Sequence, residues 1–476
     1  MVNHHRSFEI LRILEQRYPG SYLVGGAVRD ALLGRPWESD LDVVVHEDGF
    51  AAARWITSLR PGEGSFVPLD DERGTGRVVF RWGMTLDISR RKGATVNDDL
   101  LQRDFTVNAI AVTLTDFFQS GWSQLIDPLG GVTDLHKGIL RLCSPGALLD
   151  DPLRILRAFR LRATHEMHIT RDTIHLLKEA LPFLQGVAAE RLRDELFLIL
   201  FSERATPILR QMDETGVVDI LFPELIPMKG CTQNTYHHLD VWNHTMEVME
   251  SLEKVFLGDP RFPEDLQDRI QVLCRQELVR GRPKSSLLKF AGLFHDAGKP
   301  LSRSVDGKGN VHFYHHERLS RQIVNSVGLR MKLAFREREL IGKWVEAHLW
   351  PLFMLNRGAS RRSVIRMCRT FGGDVFGLFL LVLADLAAKR GPARSPGEQE
   401  QGFLEMVRAM EICREWEQSP PPRLLTGKDV LLLFHVSPGP LVGELLRYVE
   451  ELHDAGEIAT KEEAIAKARE FLNQRL

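Results

Sequence analysis

Asp40-Leu41-Asp42 opens an apolar run that ends at Val45. Side chains alternate along a strand, so both carboxylates share one face, about 7 Å apart. Two carboxylates so placed can share Mg²⁺ ions, which activate an attacking hydroxyl and stabilise a departing pyrophosphate. Upstream, Leu23-Val24-Gly25-Gly26-Ala27-Val28-Arg29 sets two glycines between a strand and a helix. Backbone N–H groups at such a helix start hold phosphate oxygens, glycine lets the phosphate approach, and Arg29 adds a charged donor one turn on. A Gly-Gly turn by itself is more often only a turn. The carboxylates give it meaning, because charges at the start of a buried strand need partners. Asp87, on a neighbouring strand pattern, is either a third metal-facing carboxylate or a surface residue.

A second group of chemical side chains follows: His244, the pair His295-Asp296, then His316, His348 and Asp385. From separate helices His244, His295-Asp296 and Asp385 can converge on one metal with mixed nitrogen and oxygen ligands. Such a set suits Mg²⁺, Mn²⁺, Ni²⁺ or Fe, and not a thiolate zinc site. A lone histidine on an apolar helix is usually a satisfied core residue. An adjacent His-Asp pair on an apolar helix, with further histidines at intervals, is a metal-site pattern.

The elements that must position these groups divide the chain. Ser21–Val24, Leu41–Val45, Arg77–Phe80, Thr85–Ile88 and Ala109–Val112 read as short strands, with a helix from Ala27 to Leu33. After about residue 148 the strand signals stop and amphipathic helix patterns take over, one through Ile155, Leu156, Phe159 and Arg162, another through Leu192, Leu196, Ile199 and Leu200. The expected class is α+β: a mixed head, then an all-helical remainder. Pro223 to Asn234 marks one boundary, Gly391 to Gly397 reads as a linker, and residues 258–286 read as an insertion within the histidine-rich part.

The formal charge of −2 on 476 residues excludes a uniformly basic nucleic-acid binder, although a local basic surface suffices for RNA. Five scattered cysteines without a CxxC pair read as reduced thiols of a cytoplasmic protein. The start carries no apolar signal segment, and Phe376–Leu383 is too short to span a bilayer, so it reads as part of a buried helix in a soluble protein.

Gly25-Gly26, Arg29 and the Asp40/Asp42 pair, in this order, resemble the polymerase-β-type nucleotidyltransferase motif of bacterial CCA-adding enzymes and poly(A) polymerases. Arg103-Asp104-Phe105-Thr106-Val107-Asn108 resembles that family's ribose motif. Asp127-Pro128, Gly130-Gly131, Asp134-Leu135 and Leu140-Arg141 resemble its hinge motif. Asp150-Asp151-Pro152-Leu153-Arg154, continuing to Arg157 and Arg160, resembles its base-reading motif, and Glu190-Arg191 with Glu195 its helix-capping motif. The resemblance implies a nucleotidyltransferase head over 1–147, a helical neck over 148–225 and a helical C-terminal segment over 402–476. It implies CTP and ATP as donors, a tRNA or other RNA 3′ end as acceptor, and Mg²⁺ in the head. Asp151 and Arg154, three apart, are expected on one helix face. A carboxylate accepts from an exocyclic amine and a guanidinium donates to a ring nitrogen, an edge that cytosine and adenine share. Arg157 and Arg160 are expected to neutralise triphosphate. Two departures leave CC-addition, A-addition and poly(A) synthesis open beside full CCA addition. Gln102 stands where the family usually has a first arginine, and the stretch between Asp87 and Arg103 is short.

His244, His295-Asp296 and Asp385 resemble the HD phosphohydrolase superfamily, here over 226–390, with His316 and His348 matching second-metal positions and Lys299 a phosphate contact. Ni²⁺, Mn²⁺ or Mg²⁺ is the implied ion. Leu425 to Gly443 resembles the family's C-terminal segment, and Arg357, Arg361, Arg362, Arg366 and Arg369 read as an RNA surface or, equally, a solvated helix face. From a different class, a phosphohydrolase whose head only binds RNA is the rival reading.

Overall fold

The computed structural model describes residues 2–70, 74–356, 360–391, 395–418, 422–454 and 456–473. They form two compact units, one of Met1–Glu195 with Glu214–Ile220, the other of Leu196–Asp213 with Leu221–Leu476.

The first unit is built on a six-stranded sheet: β1 Tyr22–Val24, β2 Asp40–Val45, β3 Gly64–Asp70, β4 Thr75–Phe80, β5 Thr85–Arg90 and β6 Ala111–Thr113. Their order is β3-β4-β5-β2-β1-β6, and among these pairs only β2 and β5 run parallel. Strand alternation sorts the two faces. Leu41, Val43, Val45, Leu86 and Ile88 point to a core closed by Ile10, Leu11 and Leu14 of the helix Val2–Arg17 and by Ala52, Ala53 and Ile56 of Gly49–Leu59. Val24 and Val44 face the other way, under Leu100 and Ala109. Asp40 and Asp42 share the face of Val44, so the strand turns its carboxylates toward that second side.

The second unit is helical, and its most apolar helix, Val375–Ala388, is buried along nearly its whole length. By length and composition Arg361–Ala388 would suffice to cross a membrane, but 72% of its most apolar window is buried within the protein. The expected buried helix is therefore found. Small strands do occur past residue 148: His168–Ile169 pairs with Ile139–Leu140, and two hairpins join Glu277–Val279 to Arg282–Pro283 and Arg303–Val305 to Val311–Phe313. Gly281 and Gly309 supply the left-handed turns, which two- or three-residue strands reveal only weakly in sequence. A separate apolar cluster holds Gly427–Phe434, Pro440–Asp454 and Lys461–Asn473 together.

Two expectations change here. Cys368 and Cys413, both buried, are joined as a disulfide with Cα atoms 5.8 Å apart, so not all five cysteines are free thiols. The basic stretch is spent on acids: Arg361 pairs with Glu415, Arg362 with Glu451 and Glu457, and Arg369 with Glu450 and Asp454. Those guanidiniums bridge helices, while Arg366 is 4.0 Å from Glu451 and 65% exposed. Arg357 and, in the linker, Pro392 to Arg394 lie outside the described residues.

Candidate active sites

Parallel pairing puts Asp42 level with Asp87 and Asp40 level with Thr85. Three carboxylates thus gather at the ends of two adjacent strands. Asp87 is held bidentately by Arg77 at 2.6 and 2.7 Å, and Asp40 accepts from the Thr85 hydroxyl at 2.5 Å. Burial pushes Asp42 up to about 6, Asp87 and Asp40 add repulsion, and Arg103 and Arg157 oppose them. A carboxylate raised by burial beside like charges is a place where a cation is favourable. The oxygen-only set fits a hard divalent ion.

Gly25 turns the chain at φ 74° directly behind Asp42, and any Cβ there would lie 2.6 Å from Asp42 Oδ2. The helix Gly26–Leu32 that follows carries Arg29 inward. Arg29 donates to Asp30 at 2.8 Å and to the side-chain oxygen of Asn108 at 2.7 Å. Asn108 donates in turn to Asp104 at 3.1 Å, and Arg157 pairs with Asp104 at 2.8 Å. Burial would raise Asp104, but the charge of Arg157 and hydrogen bonds from Asn108 and the Phe105 N–H hold it down to about 2. The short turn Thr106–Asn108 is propped by the hinge motif. Asp134 accepts from Thr106 and from Arg141, each at 2.6 Å, and a Cβ on Gly131 would collide with the Thr106 carbonyl.

Asp151 and Arg154 do not share a helix face. Asp151 is extended, with φ −151° and ψ 97°, and lies ahead of the helix Arg154–His165, where its carboxylate accepts the Leu153 N–H at 3.2 Å. Proline at 152 accounts for this, since the residue before proline is pushed out of the helical region. The Asp151 carboxylate also takes Arg191 at 2.7 Å, while buried Arg154 donates to the carbonyls of Ala147 and Gln102 at 2.9 and 3.0 Å. Arg160 pairs with Glu195 at 3.0 Å, and Arg103 reaches Asp99 at 3.2 Å. A single cleft of 210 Å³ is lined by Asp42, Asp87, Arg103, Asp104, Asp151, Arg154 and Arg157. Residues spread over more than a hundred positions thus meet in one place. Arg77, Asp99 and Arg191 were not foreseen as their partners. Only Asp99, one turn before Arg103, carried a local signal.

In the second unit the metal-type residues come from helix ends and from one buried helix. His295 and His348 cap the C-termini of Lys284–Phe294 and Phe335–Ala347, and His316 begins His316–Arg330. Their Nδ1 atoms donate to the carbonyls of Gly292, Val345 and Phe313 at 2.7, 2.7 and 2.8 Å. Each Nε2 faces inward, and in the neutral ring it would carry the lone pair that metal-binding histidines use. Asp296 stands between two sets. Its Oδ2 is 3.1 Å from His295 and 3.7 Å from His244, and its Oδ1 is 3.2 Å from His316 and 3.7 Å from His348. Asp385 completes the first set, 3.1 Å from His244. The donor atoms of His244, His295 and Asp385 lie within 4.8 Å of one another, as do those of Asp296, His316 and His348. The Nε2 atoms of His316 and His348 lie only 3.4 Å apart; with each Nδ1 donating to a carbonyl, neutral rings would turn two acceptors on each other, an arrangement that a cation between them resolves. Burial would raise Asp385, but Lys389 and His244 hold it well below the usual carboxylate range. Lys389, one turn after Asp385, was missed although its spacing was readable. Lys299 reaches Asp296 and the Gln233 side chain, each at 2.6 Å.

Comparison with known proteins gives the family. The Poly A polymerase head domain matches residues 69–141, the probable RNA and SrmB-binding site of polymerase A 166–229, and the HD domain 236–362. The chain is 35% identical to the A-adding tRNA nucleotidyltransferase of Deinococcus radiodurans, covering 94% of each, and 32% identical to the CC-adding tRNA nucleotidyltransferase of Geobacter sulfurreducens, covering 94% of this chain and 90% of that one. The CCA-adding enzyme of Thermotoga maritima complexed with tRNA shares the fold at a TM-score of 0.62 and 23% identity, over 98% and 95% of the chains. A CCA-adding enzyme complexed with CTP does so at 0.61 and 24%, over 95% and 91%. With carboxylates, glycine turn and HD cluster each in place, the chain belongs to the bacterial tRNA nucleotidyltransferase and poly(A) polymerase family, in the form that carries an HD domain.

Proposed function

We propose that the protein adds C, A or both from CTP and ATP to the 3′ end of tRNA without a template, in the cytoplasm. The observation that carries this is the one cleft containing Asp42 and Asp87 together with Asp151 and Arg154. Chemistry and base choice need to be that close. Support also comes from relatives named for A-adding and CC-adding activity. In the reaction the RNA 3′-hydroxyl oxygen gives up its proton to solvent and bonds to the α-phosphorus, the bond from that phosphorus to the bridging oxygen breaks, and pyrophosphate leaves. Asp40 and Asp42, with Asp87 beside them, would hold Mg²⁺, which activates the hydroxyl and neutralises the leaving group. Gly25 and Gly26 let the triphosphate approach. Arg29, through Asn108, holds Asp104 where it and Arg103 organise the ribose. Arg157 and Arg160 keep positive charge beside the cleft, each anchored by a carboxylate.

The head is assigned to 1–147, the neck to 148–225, the HD domain to 226–390 and the C-terminal segment to 402–476. In the HD domain His244, His295 and Asp385 would hold one divalent ion and Asp296, His316 and His348 a second. The mixed set suits Ni²⁺, Mn²⁺ or Mg²⁺, for hydrolysis of phosphate esters.

Incubating purified protein with tRNAs lacking A, CA or CCA and all four nucleoside triphosphates, then sequencing the 3′ ends, tests the head assignment. The expected products end within the CCA sequence and contain only C and A. Long A tracts on unrelated RNA would replace this reading with a poly(A) polymerase, and no incorporation would overturn it.

A further inference from the structure

Asp151 borders a second cleft besides the one that holds the carboxylates. This cleft, of 510 Å³, is walled by Leu69, Asp151, Pro152, Phe183, Val187 and Arg191, all of the first compact unit. Phe183 lies in the short 3-10 helix Leu181–Gly186, where Leu184 is fully buried. With Leu184 in the core position its neighbour is turned outward, and Phe183 is 51% exposed. Leu69, 45% exposed, brings a second open apolar side chain to the same cleft. Single exposed apolar residues need no explanation. Here two of them meet the half-exposed guanidinium of Arg191, which Asp151 holds at 2.7 Å. An aromatic ring and a guanidinium plane are the groups on which unpaired bases stack.

Strand order decides which base this would be. The glycine turn follows β1 and Leu69 lies in β3, and these two strands flank the carboxylate strands β2 and β5 on opposite sides. Neighbouring strands are spaced about 4.8 Å apart, so β3 lies roughly 10 Å beyond β5, away from the glycine turn. In phosphoryl transfer the attacking and leaving oxygens stand in line on opposite sides of phosphorus. With the triphosphate on the glycine turn, the attacking hydroxyl arrives from the side of β5 and β3. The nucleotide that carries this hydroxyl arrives on the same side.

We propose that the second cleft seats the 3′-terminal base of the RNA acceptor, stacked on Phe183 with Arg191 beside it, while Asp151, between the two clefts, serves the incoming base. The proposal rests on the head being a nucleotidyltransferase. Phe183 is then a binding residue for the RNA and not for the nucleoside triphosphate. Stacking tolerates any base, so the same seat accepts each new end as the RNA grows.

The test uses the full chain, a truncated tRNA that it extends from CTP or ATP, and the same tRNA with an abasic 3′-terminal nucleotide. Phe183→Ala should raise KM for the intact tRNA about ten- to a hundredfold and leave KM for the nucleoside triphosphate unchanged. Removing the terminal base should raise KM for the wild type by a similar factor, and Phe183→Ala should add no further loss on the abasic tRNA. Phe183→Trp should restore KM for the intact tRNA. An unchanged KM for intact tRNA in Phe183→Ala would overturn the platform. So would an equal loss on intact and abasic tRNA, or a matching rise in KM for the triphosphate, since either marks a purely structural role. Wild-type protein that extends no tRNA from either nucleotide would instead remove the nucleotidyltransferase reading beneath it.

Discussion

Asp151 offers the best-defined view of how single residues could choose a base. One carboxylate oxygen accepts the Leu153 N–H and the other takes Arg191, so the side chain is oriented before any nucleotide arrives. Arg154 is fixed by two backbone carbonyls. Exchanging the two residues would put a carboxylate against those carbonyls and confuse base choice with folding, so Asp151→Asn is the cleaner change. An amide can keep the Leu153 contact and also donate, where a carboxylate only accepts. The variant should lose preference for CTP and ATP over UTP and GTP by about 1–3 kcal/mol per pairing, measured as ratios in competition assays. An unchanged ratio in an active variant would assign base choice elsewhere. At this scale much was readable, because strand period two puts Asp40 and Asp42 together whatever the tertiary structure. Arg77 was not readable as the partner of Asp87, since strand pairing and not local spacing joins them. The Asp151-Pro152 dipeptide did carry the signal that no helix face links Asp151 to Arg154, and spacing alone obscured it.

Among the elements, the turn between β1 and the helix Gly26–Leu32 has little room for change. A left-handed backbone costs a residue with a side chain about 1–2 kcal/mol, and a Cβ on Gly25 would also press on Asp42 and on Arg103 Nη1, 3.2 Å away. Gly25→Ala should therefore lower thermal stability modestly and cut nucleotide incorporation on the order of a hundredfold, the scale of a misplacement near 1 Å. Calorimetry together with single-turnover incorporation would check both. Wild-type incorporation would mean that Asp42 has more freedom than the turn allows. The strands of the head were legible because β-branched runs alternate between glycine turns. β3 was not, since Pro68 and Gly64 break its pattern, and its pairing with β4 supplies what local sequence lacks. The arginines at 361–369 were legible as a charged face, but their acids come from the helices Pro396–Gln418 and Pro440–Asp454 and from Glu457, and only the fold brings them together.

For the whole molecule, the central claim is that two different phosphorus chemistries belong to two separate sets of residues, Asp42 in the first compact unit and His295 in the second. The order of motifs made that division legible. What sequence could not supply was the position of Asp296 between two ligand sets, which requires His316 and His348 to arrive from other helices. The most direct test is a crossed one. Asp42→Asn and His295→Ala, each verified as folded, are assayed for CTP and ATP incorporation into truncated tRNA and for metal-dependent hydrolysis of a phosphate ester. Asp42→Asn should abolish incorporation and spare hydrolysis, and His295→Ala should do the reverse. Near-wild-type incorporation by folded Asp42→Asn, or loss of both activities in either variant, would contradict the account.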